Sequence, residues 1–429
     1  MSFHVKGSAA TVVFLLFFLY PIINWFQYSE IITVKPVPTR PRPITQRHYS
    51  HVKPPTIQSR APAPPEALAD WSGSQTLITM REQRCLPKMN VVYLKTHKTA
   101  SSTLQNIVCR WGERNNLTFA LPTTRVHIEY PMTREGLVKS PSGTYNILAN
   151  HARFEPKAFN DIMSPDSVYI TILRHPHQQY ESYYNYFHCQ APRVYGASLH
   201  KFLEDPQRYL DYARNRNVNN PQCVDAIRNP QLYDLGFNSV RRGEKSPARS
   251  ATVDEWIVVL NKSFDLVLIA DYFTESLVAL KHTMCWETED VVVFDVNRRL
   301  PSATPSETHQ IEYLPKLIES WNAGDVKLYQ HFNRTLWRRL DLIGRSAVAR
   351  EIAAIQKRTH ELVDRCLDNI EWISDTEYRT KTAYQTPLKN IVASYTLKSG
   401  MRNDPLCQRL ALTAPNYLDF LRRKMKREV

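Results

Sequence analysis

Four short apolar runs punctuate the first two thirds of the chain: "NVVYL" (90–94), "YNILAN" (145–150), "SVYITIL" (167–173) and "FDLVLIA" (264–270). Each is continuously aliphatic or β-branched rather than alternating, which predicts strands buried on both faces, as in a parallel sheet. Between them the apolar period lengthens to that of a helix. Leu104, Ile107, Val108 and Trp111 fall at i, i+3, i+4 and i+7 directly after the first strand, one face of an amphipathic helix. Thr252 and Glu255 have capping-box spacing ahead of Trp256, Val259 and Leu260, a second helix start. Tyr180, Tyr183, Tyr184 and Phe187 form an aromatic stripe at helical spacing, expected to be core. Strands alternating with helices predict an α/β fold, a three-layer domain around a central parallel sheet. Val348, Ile352, Ile355, Leu362 and Cys366 mark one face of a long helix within 341–372, either packed into the core or offered to a second copy in a homodimer. Residues 190–250 are polar and rich in Asn and Arg, and read as an acceptor-binding insertion or as irregular surface.

The pattern is different at the start of the chain. Residues 9–26, "AATVVFLLFFLYPIINWF", carry no charge over 18 positions, about the length that crosses a bilayer core. No small-x-small cleavage site follows, and Trp25 and Tyr28 sit where interfacial aromatics belong. The expectation is therefore a transmembrane signal-anchor over 9–28 behind a cytoplasmic tail of residues 1–8, rather than a cleaved signal peptide. Lys35, Arg40 and Arg42 beyond it run against the positive-inside bias. Residues 29–84 are proline-rich and read as a semi-rigid lumenal stem, leaving 85–429 as the lumenal domain, helical in its C-terminal part.

Three glycosylation sequons, at Asn116, Asn261 and Asn333, fit that topology. All seven Cys follow the apolar segment, where an oxidising compartment favours disulfides. The odd count leaves at least one free or paired between chains, and the absence of CxxC spacing argues against a zinc site. The net charge of +14 points to an anionic ligand or surface. A lumenal location argues against nucleic acid.

In open parallel sheets ligands bind beyond the carboxyl ends of the strands, so the residues there carry the chemistry. After the first strand comes "KTHKTASST" (95–103) and then the amphipathic helix. A strand, a loop of small residues and a helix N-terminus present free N–H groups to an anion. Lys98 is placed to neutralise a leaving phosphate, while Thr99, Ser101, Ser102 and Thr103 supply hydroxyls, one of which could cap the helix. The loop is not a Walker A sequence, which lowers a lumenal kinase as a reading. After the third strand stand Arg174 and, eight residues on, Ser182. Ser182 lies roughly opposite the aromatic stripe, and with the forked guanidinium it could hold a second phosphate. After the second strand comes His151. Three strands thus end in Lys98, His151 and Arg174, which makes His151 a candidate general base.

This arrangement resembles the PAPS-dependent carbohydrate sulfotransferases, and more narrowly the galactose 3-O-sulfotransferase family. The resemblance is carried by "KTHKTASST", "NHARF" (150–154), "ILRHP" (172–176) before "YESYYNYF" (180–187), "LYDLGF" (232–237), "ADYFTESLVALKHTMCWETEDV" (270–291) and "LYQHFNRTLWRRL" (328–340). It implies a P-loop-like sulfotransferase fold. It also implies a single-pass type II Golgi membrane enzyme, moving a sulfuryl group from PAPS to the 3-hydroxyl of a terminal β-galactose on a glycolipid or glycan. Carried over by position, Lys98, Thr99, Ala100, Ser101, Ser102 and Thr103 line the 5′-phosphosulfate, and Arg174 and Ser182 hold the 3′-phosphate. His151 falls where related enzymes keep a catalytic base, with His97 and Lys95 close enough in sequence to assist. No metal is required by that chemistry. The chain departs from many such loops in having Ala100-Ser101 for Gly-Gly, so the backbone approach to phosphate is expected to differ. A glycan-binding protein without catalysis, or transfer to another sugar hydroxyl, is the alternative.

Overall fold

The strand β1 (Val91–Leu94) is buried at all four positions, so it needs a covering layer on each face. β2 (Ile147–Asn150) and β4 (Leu266–Ile269) are equally buried, and β3 (Val168–Leu173) is buried over its last four residues. The four form one sheet in the order β2-β1-β3-β4, parallel throughout, with Val91 opposite Ile147 on one side and Val168 on the other. The expected α/β architecture and all four expected strands are present. These statements come from a computed structural model that describes residues 85–123, 127–240, 251–294, 307–373 and 392–428. The expected tail, anchor and stem lie outside the described residues. Among those described, no helix is long and apolar enough to cross a membrane.

The chain passes from β1 through helix α1 (Ser101–Arg114) to β2, then back across β1 to β3. With right-handed crossovers the two connections cover opposite faces. The point where the strand order reverses, between β1 and β3, is where such sheets open a ligand crevice. The helical face predicted after β1 is real: Leu104, Ile107, Val108 and Trp111 are all buried. α2 (Pro156–Ile162) precedes β3, and α3 (Pro176–Tyr186) follows it with Pro176 in its first turn, where a missing N–H costs nothing.

Residues 190–240 contain short helices, among them α4 (Pro230–Asp234), rather than irregular surface. They build a satellite core of Leu199, Phe202, Leu210 and Ile227 against Tyr180 and Tyr184 of α3, closed by the Cys189–Cys223 disulfide. The aromatic stripe therefore divides. Tyr180 and Tyr184 enter this core and Phe187 packs at its edge, while Tyr183 and Phe187 both meet the His97 ring near the ends of the strands.

α5 (Val253–Ser263) begins with the predicted capping box, reciprocal between Thr252 and Glu255. α6 (Phe273–Met284) and the long α8 (Ala323–Ile343) both pack on β4, and α7 (Leu314–Trp321) packs on α3. The long helix expected within 341–372 is present: α9 runs Arg345–Cys366, separated from α8 by Gly344 at φ 95°. It ends in a strand, β5 (Leu367–Ile373), antiparallel to β6 (Val392–Leu397). Val348, Ile355, Leu362 and Cys366 of its apolar face are buried within this chain. α10 (Pro405–Ala411) and α11 (Ala414–Glu428) then dock on α1, where Arg409 and Tyr417 both reach Glu113, at 2.8 and 2.6 Å. Six Cys form disulfides, Cys85–Cys285, Cys189–Cys223 and Cys366–Cys407; Cys109 is free and buried.

Candidate active site at the strand ends

The loop after β1 is shaped by its own hydroxyls. The Thr96 hydroxyl bonds the Ile172 carbonyl of β3 and lies 2.8 Å from the Thr99 hydroxyl. Ser101 Oγ turns back to donate to the Thr96 carbonyl at 2.6 Å. Lys98 and Ala100 both adopt left-handed backbone, φ 65° and 59°. Left-handed residues set between right-handed ones aim successive N–H groups into one concavity. Ala100, the N-cap of α1, gives no side-chain hydrogen bond to the helix, so the cap expected from a Ser or Thr is not made. The Thr103 N–H turns back to the Ala100 carbonyl at 3.1 Å, and the N-terminus of α1 presents the end of the dipole that favours an anion. Thr99 and Ser101 spend their hydroxyls inside the loop, and Ser102 is the half-exposed member of the set.

Lys98 reaches over the Tyr186 ring of α3, its Nζ 3.8 Å from the centroid. Lys95 is buried and donates to Gln105 Oε1 at 2.7 Å, and burial lowers its pKa to about 7. It therefore joins β1 to α1, while Gln105 Nε2 bonds the Ala149 carbonyl of β2.

Three imidazoles converge beside the loop. His151 Nδ1 lies 2.9 Å from the Lys95 carbonyl, which can only accept, so Nδ1 carries the proton and Nε2 the lone pair. Its ring stacks on His97 with centroids 4.1 Å apart, and His127 lies 5.0 Å from it. Burial first, then the neighbouring His97, Lys95 and His127, hold the His151 pKa well below the usual histidine value.

His97 is partnered differently. Its Nδ1 and its main-chain N–H both face the Asp234 carboxylate, at 2.8 and 2.7 Å. Its Nε2 is buried with no hydrogen-bond partner. Gln179 of α3 donates to its carbonyl at 2.8 Å, and Phe187 meets its ring edge-on. A carboxylate on Nδ1 orients the ring and stabilises the imidazolium that forms when Nε2 takes a proton.

Asp234 was legible only as part of "LYDLGF"; nothing in its spacing marks a partner for His97, because the two lie 137 residues apart. It stands at the end of α4, whose position depends on Gly236. That residue has φ +92°, and an added Cβ would meet the Phe154 carbonyl oxygen at 2.4 Å. The same short helix holds Arg174. Gln231 accepts the Arg174 N–H and donates to the Arg174 carbonyl, both at 2.9 Å. The guanidinium donates to Gln178 at 3.1 Å. Burial lowers its pKa, opposed by Asp271 and Glu181. Ser182 is half-buried on α3. The structure thus stacks His97 directly on His151, sets Lys98 next to His97 in the same loop but over the Tyr186 ring, and ties Arg174 to His97 through α4.

The sequon residues lie elsewhere. Asn116 and Asn261 are exposed. Asn333 is half-buried within α8, and its Oδ1 is buried without a hydrogen bond.

A strand, an anion-ready loop and a carboxylate-held histidine at one switch point fit group transfer from a phosphorylated donor. Residues 42–425 match the family model described as Galactose-3-O-sulfotransferase. The chain belongs to the galactose-3-O-sulfotransferase family. Galactosylceramide sulfotransferase of Bos taurus is 34% identical over 387 residues, 86% of this chain and 88% of that protein. Galactose-3-O-sulfotransferase 2 of Sus scrofa is 37% identical over 347 residues, 77% and 83% of the two chains. Galactose-3-O-sulfotransferase 3 of Mus musculus is 34% identical over 351, 79% and 78%. As in the names of these galactose-3-O-sulfotransferase relatives, both glycolipid-directed and more general galactose-directed members stand at similar distance from this chain.

Proposed function

We propose that this protein transfers a sulfuryl group from PAPS to the 3-hydroxyl of a terminal β-galactose on a glycolipid or glycoprotein glycan. Beyond family membership, the observation that carries the reading is the loop 95–103. It ends in a helix N-terminus without a side-chain cap and contains both Lys98 and the carboxylate-held His97. The donor's needs, several N–H groups and two cations beyond neighbouring strands, are met by this chain's own residues. Main-chain N–H groups of 98–102 and the Ser102 hydroxyl bind the 5′-phosphosulfate, with Thr103 lining the same loop; Arg174 and Ser182 hold the 3′-phosphate. PAPS, when bound, supplies an electrophilic sulfur and a bisphosphate leaving group. Lys98 stabilises the charge that gathers on the bridging oxygen, leaving the Tyr186 ring to do so.

The proton of the attacking hydroxyl goes to an imidazole Nε2. His151 and His97 both offer one. His97 is the proposed base, since Asp234 is placed to compensate an imidazolium there while His151 faces only a neutral carbonyl. His151, kept neutral, accepts a hydrogen bond from the acceptor and orients it. The same reading makes the protein a single-pass type II Golgi membrane protein with residues 85–429 in the lumen, glycosylated at exposed sequons.

The test is sulfate transfer from labelled PAPS to galactosylceramide and to a terminal-galactose oligosaccharide, side by side. Transfer to either, abolished in Lys98→Ala, supports the reading and chooses the acceptor class. PAPS binding with transfer to neither sugar would leave only the donor half standing. Failure to bind PAPS would favour a non-catalytic glycan-binding protein.

A further inference from the structure

A second group of ligand-type side chains lies on the far side of Arg174, outside the machinery just described. His175 and His177 flank Pro176, which fixes the backbone as α3 begins. Their Nδ1 atoms are both buried and neither makes a hydrogen bond. Facing them from α7 is Glu319, whose Oε1 is 3.5 Å from His177 Nδ1 and 4.0 Å from His175 Nδ1. These separations are too long for hydrogen bonds. The shorter is near the ~3.3–3.4 Å edge of a tetrahedron built on zinc bonds of about 2.0–2.1 Å, and the longer would close by roughly half an ångström on ligation. One ligand atom from each of the three residues lies within 4.8 Å of the others.

We propose that His175, His177 and Glu319 form a site for a divalent transition metal, Zn2+ by its ligand chemistry, with a fourth position left for water. Two imidazoles and one carboxylate suit a borderline cation and disfavour Mg2+ and Ca2+, which take oxygen ligands. The neighbouring groups are arranged for it. Asp271 accepts the His175 main-chain N–H at 2.8 Å, which holds the turn, and adds a second carboxylate that offsets Arg174. Tyr329 meets the His175 ring edge-on at 5.0 Å and packs against it. The side chains are 27%, 27% and 37% exposed, so an ion has a route from solvent. The bound ion would brace the β3–α3 turn, which carries Arg174, against α7. Metal binding itself does not depend on the sulfotransferase reading.

The test uses the full-length chain purified in detergent, stripped with EDTA and titrated with Zn2+ and with Co2+ as a visible probe. One equivalent should bind, weakened more than about tenfold in Glu319→Gln and in His177→Ala, with no competition from excess Mg2+. Because His97, His127 and His151 also cluster within ligating range, X-ray absorption on the unmodified zinc protein decides between the sites without relying on a variant. Two imidazoles and a carboxylate oxygen are expected. Three imidazoles, or unchanged affinity in both variants, or no binding of either ion, would overturn the proposal.

Discussion

Asp234 and Asn, or His97 and Gln, differ little in volume, so substituting them separates chemistry from folding. Asp234→Asn leaves a ring with no charge to stabilise its protonated form. We expect kcat to fall by roughly 10²–10⁴-fold with little change in KM for PAPS, measured by steady-state sulfate transfer. His151→Gln should instead raise KM for the sugar more than it lowers kcat. The reverse pattern, with His151→Gln the more damaging to kcat, would return the base to His151. Cys109 offers a prediction of a different kind. Burial pushes its thiol up to about 12, so it stays protonated and unreactive. Alkylation followed by mass spectrometry should label no thiol in the native protein and one after unfolding without reductant. Ala100 shows what a single residue leaves visible. Its place in the loop is plain from the sequence, but its left-handed backbone is imposed by the turn between β1 and α1, and that turn is set by Thr96 bonding to β3.

Among the elements, α4 is short but connects both halves of the site. Gln231 clasps Arg174, Asp234 clasps His97, and the buried Asp325 of α8 accepts the N–H groups of Gln231 and Leu232 at 3.1 and 2.9 Å. Removing that acceptor by Asp325→Ala orphans two buried donors, at about 1–3 kcal/mol each. We expect a lowered Tm together with weaker PAPS binding, because α4 can no longer hold Arg174 and Asp234 in place. Unaltered PAPS affinity would mean that α4 supports the fold alone. None of these links is local: 57 residues separate Gln231 from Arg174 and 93 separate Leu232 from Asp325. The strands and α1 were legible because burial on two faces and a helical period are written into adjacent residues. The short helices after α3 were not, since their apolar residues are few and are explained only by the satellite core and the Cys189–Cys223 bridge.

For the molecule as a whole, stability should vary with pH through groups that oppose one another. His151 has a folded pKa below that of an unfolded histidine, about 6.5. Below that pH the unfolded chain takes up the proton more readily, so stability is lost as pH falls. Asp325 works the other way. Burial raises its pKa from 3.8 to about 7, so its protonated form favours the fold and its contribution is lost as pH rises across that window. His151→Gln should therefore show a smaller fall in Tm between pH 7.5 and 5 than the natural chain, and Asp325→Asn a larger one; scanning fluorimetry across that range reads both. Glycosylation belongs to this scale too. Glycopeptide mapping should find glycans at Asn116 and Asn261 and not at Asn333, whose amide oxygen is enclosed against α8 and its neighbours.

What the sequence determined by itself is whatever depends on neighbours along the chain. Continuous apolar runs became the four parallel strands, a 3.6-residue period became α1, and Thr252 with Glu255 became a capping box. The basic, hydroxyl-rich corner at 95–103 stands out as a candidate anion loop from its composition alone. The tertiary structure decided the rest. It turned Thr99 and Ser101 inward, brought Asp234 to His97 and stacked His97 on His151. It also gave Gln231 the task of fixing Arg174, and faced Glu319 toward His175 and His177. Each of these joins groups far apart in the chain, and a periodic pattern carries no record of which distant side chain will meet another once the sheet has closed.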